Sequence, residues 1–257
     1  MIIATFNVNS VRMRMQAVLD WLREHQPDVL CLQETKVEDH AFPAEPLRAA
    51  GYNVIFRGQK SYNGVALISK TEPTEVRFGL DDGGPADEPR LVCAQVNGVH
   101  ILNTYVPQGR EIDHEMYQYK QAWFKRLRDY FNRHFTTKSK LIWVGDLNVA
   151  PTPLDVHNPQ DQTNHVCYHA DIQKAYADTL AWGFEDVFRR HCPEPGQFSF
   201  FDFRTPNVVK RNMGWRIDHI LATPVMAALS KRAWIDLEPR LREKPSDHTV
   251  VAAEFAV

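Results

Sequence analysis

An α+β fold of two packed, mainly antiparallel sheets flanked by helices is what the pattern of this chain predicts, and three observations carry the prediction. About a dozen short segments rich in β-branched and aromatic residues are set apart by Gly, Pro, Asn and Asp turn signals. Asn97-Gly98, the favoured two-residue hairpin turn, joins residues 91–96 to 99–105 and makes this part of the sheet antiparallel. Helical periodicity occurs in only a few stretches, so helices interrupt runs of strands instead of alternating with them.

With 257 residues, 44% of them hydrophobic, the chain is long enough to bury a core. No repeat, low-complexity tract or linker splits it, so residues 1–257 read as one domain. The net charge of -2, from 30 Lys and Arg against 32 Asp and Glu, offers nucleic acid no global attraction. Any basic footprint must be local, and acidic metal ligands would mask one in the total. Cys31, Cys93, Cys167 and Cys192 have neither CxxC nor zinc-ligand spacing, which predicts reduced thiols in a cytoplasmic protein. Without a basic n-region at Met1 or a run of about 18 apolar residues, export and membrane insertion are disfavoured.

Residues 2–6 form a strand that delivers Asn7, after which Asn9 or Ser10 can cap a helix with Val11, Met15, Val18, Leu19 and Leu22 at helical spacing. Pro27-Asp28 ends that helix, and a buried strand at 29–32 runs out into Gln33-Glu34-Thr35-Lys36. Strands follow at 52–57, 63–69 and 74–79, then an acidic Gly- and Pro-rich surface loop at 81–89 and the hairpin. The second hairpin strand leaves Tyr105 at its end, where Pro107 stops ladder pairing and Gly109 allows a sharp turn. The helix over 114–135 carries Tyr117, Trp123, Phe124, Leu127, Tyr130 and Phe131 as a stripe suited to packing on a sheet.

The run 141–144 is short and apolar, and it empties through Gly145 into Asp146-Leu147-Asn148. An acceptor and an amide thus stand at a strand end, although an ordinary Asx turn has the same composition. Some twenty polar residues from 150 to 169 show no period, a length that suits a functional loop. A helix over 171–181 and a helical turn over 185–191 precede the aromatic segment 198–203. A strand at 215–221 places Asp218 inside an apolar run, as a structural acceptor or as the orienter of a catalytic base. Strands at 231–237 and 249–255 flank a basic loop and Ser246-Asp247-His248.

Asn7, Glu34, Tyr105, Asp146, Asn148, Asp218, Asp247 and His248 therefore all lie at or near strand ends. Oxygen donors suit a hard cation, so Glu34 and Asp247 with water are expected to hold Mg²⁺ or Mn²⁺. No P-loop or dinucleotide Gly pattern competes. Five segments, Leu32 to Lys36, Asn103 to Gly109, Gly145 to Asn148, Trp215 to Asp218 and Ser246 to His248, occur in an order that closely resembles the exonuclease III family of abasic-site endonucleases. The resemblance implies a four-layer α/β/β/α sandwich and divalent-metal-dependent cleavage of DNA in base-excision repair. It also implies that Glu34 binds metal with Asp247 and Asn7 nearby, that Asp146 orients or deprotonates water, and that Asn148 positions it. His248, held by Asp218, would contact the scissile phosphate, and Tyr105 would support the phosphate or the leaving oxygen.

The expected partner is double-stranded DNA with abasic sites or 3′ ends, met by a monomer. A basic collar of Lys36, Arg110, Lys210 and Arg211, with Arg242 and Lys244, is expected to touch phosphates. Phe201, Trp215 and Ile217 are expected to line an apolar pocket for an extruded abasic sugar. His219 departs from the family, where Tyr or Leu commonly follows Asp218, as does Leu147, which stands where Phe is frequent. Rival readings are a lipid or inositol-phosphate phosphoesterase of the same superfamily and a non-catalytic DNA-binding module. Lys36 and the Asn103 and Trp215 motifs favour the DNA enzyme, and the presence of every candidate catalytic group disfavours the silent module.

Overall fold

The computed structural model describes residues 1–84 and 88–257. Residues 85–87, inside the acidic loop expected over 81–89, lie outside the described residues. In chain order the strands are β1 (Ile2–Asn7), β2 (Val29–Gln33), β3 (Asn53–Arg57), β4 (Val65–Ser69), β5 (Thr74–Phe78), β6 (Leu91–Val96), β7 (Val99–Tyr105), β8 (Leu141–Asp146), β9 (Glu185–Asp186), β10 (Asp218–Ala222), β11 (Ser230–Asp236) and β12 (Val250–Phe255). The helices are α1 (Val11–His25), α2 (Glu45–Ala49), α3 (Glu115–His134), α4 (Ala170–Leu180), α5 (Val187–His191), α6 (Pro224–Ala227) and α7 (Glu238–Leu241).

Among the described residues these strands make two six-stranded sheets, ordered β11-β12-β1-β2-β4-β3 and β5-β6-β7-β8-β10-β9. Each is antiparallel except at its centre, where β1 pairs with β2 and β7 with β8 in parallel. A parallel pair needs a crossover, and α1 and α3 supply the two. Both sheets thus repeat one plan, a strand-helix-strand centre with an antiparallel pair on either side, although the sequence shows no repeat. The two halves share a backbone plan and fill it with different side chains.

Alternation along the central strands sorts side chains into three cores. Leu30 and Leu32 of β2 face Val18, Trp21 and Leu22 of α1, while Cys31 between them turns to the inter-sheet core with Ile3, Ile142, Val144 and Ile220. On the far side of the second sheet, Leu102, Trp143 and Leu221 pack against Phe124, Leu127 and Phe131 of α3 and Ile172 of α4. The result is helix, sheet, sheet, helix, the expected four-layer sandwich. Truncating a fully buried ring such as Phe131 to Ala would cost about 3–5 kcal/mol.

Some boundaries differ from expectation for identifiable reasons. Ser10 occupies the N-cap of α1 but accepts no capping bond; instead the Ser10 and Val11 N–H groups donate to the Glu34 and Thr35 carbonyls. The strand expected from 215 begins at Asp218, because Trp215 pairs only through isolated bridges to Val156 and Phe200. The turn expected over 185–191 opens with β9, paired to β10, before α5. Among the described residues no helix is long and apolar enough to cross a membrane.

Candidate active site

Both parallel pairs end at the same edge of the sandwich, where chain leaves the sheet and backbone groups fall free. β1 and β2 end side by side at Asn7 and Gln33, and β7 and β8 at Tyr105 and Asp146. Asp218 begins β10 opposite Asp146, and His248 bridges to Phe200 just before β12. Gly145 lets β8 reach this edge, since its φ of +139° favours glycine and a Cβ there would collide with the Thr104 carbonyl. Glu34 and Asn148 follow the strand ends in the left-handed region, at φ +51° and +52°. Non-glycine residues held there, at the mouth of a site, mark positions that the surroundings over-determine.

The side chains converge. Asn7 Nδ2 donates to Glu34 Oε1 at 2.8 Å and to Asp146 Oδ2 at 2.9 Å, bridging the two sheets. Asp146 Oδ1 accepts the Asn148 N–H at 2.9 Å, and Asn148 Nδ2 donates to the Val106 carbonyl at 3.0 Å. His248 Nδ1 lies 2.8 Å from Asp218 Oδ2, which turns Nε2 toward Asp146 Oδ2 at 3.8 Å. Lys36 Nζ pairs with Glu34 Oε2 at 2.8 Å and donates to Asn9 Oδ1 at 2.5 Å, while Asn9 Nδ2 donates to Asp247 Oδ1 at 3.0 Å.

Charge follows from this packing. Burial works against a charged His248, but Asp218 and Asp146 outweigh it and push the imidazole up to about 10. Burial pushes Asp146 up to about 7, against the lowering pull of His248. Burial, with Glu34 and Asp146 alongside, holds the Tyr105 phenol well above its ordinary value, so it is a donor. Ligand atoms of Glu34, Asp146 and His248 lie within 4.8 Å of one another, a group able to hold a metal ion. An imidazolium has no free lone pair, which leaves the two carboxylates, and two carboxylates fit a hard divalent cation.

The metal set expected from sequence, Asn7, Glu34 and Asp247, is therefore only partly gathered. Asn7 presents its amide nitrogen to the carboxylates, and its Oδ1 accepts the Asn9 N–H at 3.0 Å. Asp247 stands outside the tight group but lines the same cavity, of about 260 Å³, with Glu34, Tyr105, Asp146, Asn148 and His248. Trp215, Ile217 and Phe200 form its apolar wall.

Phe201, expected in that wall, is not there. It is buried with Phe198 and Val208, and Phe200 faces the site with its ring centroid 5.0 Å from that of His248. Neighbours in extended chain face opposite ways, so an assignment one residue off exchanges wall for core. Lys210 and Arg211 are exposed and do not line the cavity; Arg204, paired to Asp202, does. Arg110 lies on an adjoining hollow that shares His165 with the cavity. His219 is buried away from the cavity: Arg216 Nη1 donates to Nδ1 at 3.1 Å, so Nε2 carries the proton and donates to the Val149 carbonyl at 2.8 Å. Burial, then Arg216, pushes it down to about 4 and keeps it neutral.

Sequence reasoning also passed over Lys120. Its signal was a lysine at helical spacing within the apolar stripe, three residues after Tyr117 and three before Trp123, and it is fully buried.

The Endonuclease/Exonuclease/phosphatase family profile matches residues 4–248. Exodeoxyribonuclease III of Haemophilus influenzae is 33% identical over 263 residues, covering 98% of each chain. The structure of an AP endonuclease from Archaeoglobus fulgidus superposes with a TM-score of 0.98 at 48% identity, over 100% of both chains. A 3′ phosphatase from Neisseria, solved with a product DNA hairpin, superposes at 0.95 with 37% identity, also over 100% of both. With sequence, fold and strand-end chemistry in agreement over nearly its whole length, the chain belongs to the endonuclease/exonuclease/phosphatase family, as a nuclease of the exonuclease III and AP endonuclease branch.

Proposed function

We propose that this chain is a DNA-repair hydrolase that cleaves the phosphodiester 5′ to abasic sites in double-stranded DNA, with 3′ to 5′ exonuclease and 3′ phosphatase activity at strand ends. The observation that carries the reading is one cavity in which a buried carboxylate, an imidazole clamped by a second carboxylate and a metal-suited Glu34 face an apolar wall. It acts as a single domain and a monomer. Its four cysteines are unpaired, in keeping with a cytoplasmic setting.

In this reading Asp146 orients the attacking water and takes its proton, a task suited to a carboxylate raised toward neutrality. Asn148 positions the same water. His248, kept cationic by Asp218, neutralises charge on a non-bridging phosphate oxygen, and Tyr105 donates to the phosphate or the departing oxygen. Glu34 would hold Mg²⁺, for which Mn²⁺ can substitute, with Asp146 beside it and Asp247 lining the same cavity. A cation held there would supply Lewis-acid stabilisation of the phosphoryl oxygens and the leaving alkoxide. Trp215, Ile217 and Phe200 form the shape filter for an extruded sugar, and flipping costs least where pairing is already lost.

The test is a nicking assay on an abasic duplex, a duplex ending in a 3′ phosphate and an inositol phosphate, each with Mg²⁺, Mn²⁺ or EDTA. Cation-dependent nicking that leaves a 3′ hydroxyl is expected. Turnover of inositol phosphate alone would overturn the reading.

A further inference from the structure

Three loops meet behind the catalytic floor, and one buried side chain holds all three. The Lys120 ammonium donates to the carbonyls of Gln108 at 3.1 Å, Asn148 at 2.7 Å and Val166 at 2.7 Å. Gln108 and Asn148 line the cavity, and Val166 lies between His165 and Cys167, which line it too. The ammonium has three N–H groups, so three carbonyls saturate it. The stem runs close past Gly109, where an added Cβ would stand 3.2 Å from Lys120 Cδ.

The adjacent carbonyl, that of Val149, is held by His219. Two buried basic side chains, from α3 and β10, thus grip successive carbonyls, that of the left-handed Asn148 and that of Val149. A methionine in the same space would fill the stripe equally well but leave two buried carbonyls, of Asn148 and Val166, and the part-buried one of Gln108 without this partner. Packing alone therefore does not account for a lysine here.

We propose that Lys120 is a positioning residue for hydrolysis, tying the 105–110, 146–149 and 163–169 loops together so that Asn148 and the cavity wall keep one geometry. The proposal rests on the hydrolase reading. Each of the three hydrogen bonds of the Lys120 ammonium goes to a main-chain carbonyl, so it acts through Asn148 and the wall rather than on substrate. Misplacing a catalytic group by about 1 Å can cost on the order of 10²-fold in rate, which sets the scale of the effect.

Lys120→Met and Lys120→Arg are to be compared with wild type on whichever DNA substrate wild type turns over fastest. Wild type inactive on every DNA substrate would defeat the hydrolase reading itself, separately from the variants. Lys120→Met is expected to keep KM and metal-free DNA affinity within about three-fold while kcat falls about 30-fold or more, and Lys120→Arg is expected to recover part of the loss. A methionine variant with near-wild-type kcat, or one whose kcat falls only in step with its DNA-binding fraction, would overturn the proposal. If Lys120→Met does not fold, the ¹⁵N-lysine spectrum of wild type decides: one ammonium signal protected from solvent exchange and missing from Lys120→Arg supports the clamp, and no protected signal overturns it.

Discussion

Asp146 and Asp218 face each other across the β8–β10 ladder, and the imidazole of His248 reaches both carboxylates, at 3.8 Å through Nε2 and 2.8 Å through Nδ1. Two buried carboxylates on neighbouring strands repel unless a cation intervenes, and the imidazolium is that cation. Asp146 and His248 are therefore a unit whose parts lose their roles together.

Asp218→Asn should leave the fold intact and lower single-turnover cleavage about 10²- to 10⁴-fold, because the imidazole loses the partner that keeps it charged and oriented. Asp146→Asn and His248→Ala should likewise reduce turnover far more than DNA affinity, and EDTA should abolish it. Near-wild-type single-turnover rates in both variants would remove these residues from the mechanism.

The His248 pair also sets a pH dependence of stability. A folded value near 10 lies above the ordinary histidine value of about 6.5, so the pair's stabilisation is fully present below about pH 6.5 and is lost as pH rises toward 10. Denaturant midpoints of wild type and His248→Ala should converge on going from pH 6 to pH 10. A constant gap would show that the imidazole is not held charged.

A second buried pair works in the opposite direction. Asp155 meets Arg216 Nε at 2.7 Å and the Arg189 guanidinium, and although burial raises it, these partners and Thr152 hold it down at about 2. Its stabilisation is present above the unfolded value of about 3.9 and is lost as pH falls toward 2. Asp155→Asn should cost about 3–5 kcal/mol in urea melts at pH 7, since it leaves Arg216 buried without that partner. At pH 2.5 the difference from wild type should shrink.

Phe200 and Phe201 should separate function from stability. Phe201→Ala should lower stability by about 3–5 kcal/mol with little change in substrate preference. Phe200→Ala and Trp215→Ala should yield folded enzymes that discriminate less between abasic and intact DNA. Unchanged discrimination in Trp215→Ala would reject the apolar wall as the filter.

The salt dependence of binding reports how many phosphates the protein neutralises. Replacing Lys36 or Arg110, or Lys210 with Arg211, by neutral residues should flatten the slope of log affinity against log salt by about one unit for each phosphate that a replaced side chain had neutralised. An unchanged slope after the Lys210 and Arg211 double substitution would exclude that loop from the DNA interface.

Strand ends carrying Asn7, Glu34, Tyr105 and Asp146 were legible because they rest on local signals: an apolar run, a breaker and a polar residue just beyond. The same holds for the Asn97-Gly98 hairpin and the α3 stripe. Residues 32–36, 103–109, 145–148, 215–218 and 246–248 carried the family in their order. Which atom of each group faces which partner was not legible, because it depends on residues far apart in the chain, 139 positions in the bond from Asn7 to Asp146 and 238 in the bond from Asn9 to Asp247. Phe200 and Phe201 are chemically identical, and only the bridges to Trp215 and His248 decide which ring meets the cavity. Lys120 was hidden for the same reason: its three acceptors are main-chain carbonyls of separate loops, which no side-chain pattern encodes and which folding alone brings within reach of one ammonium.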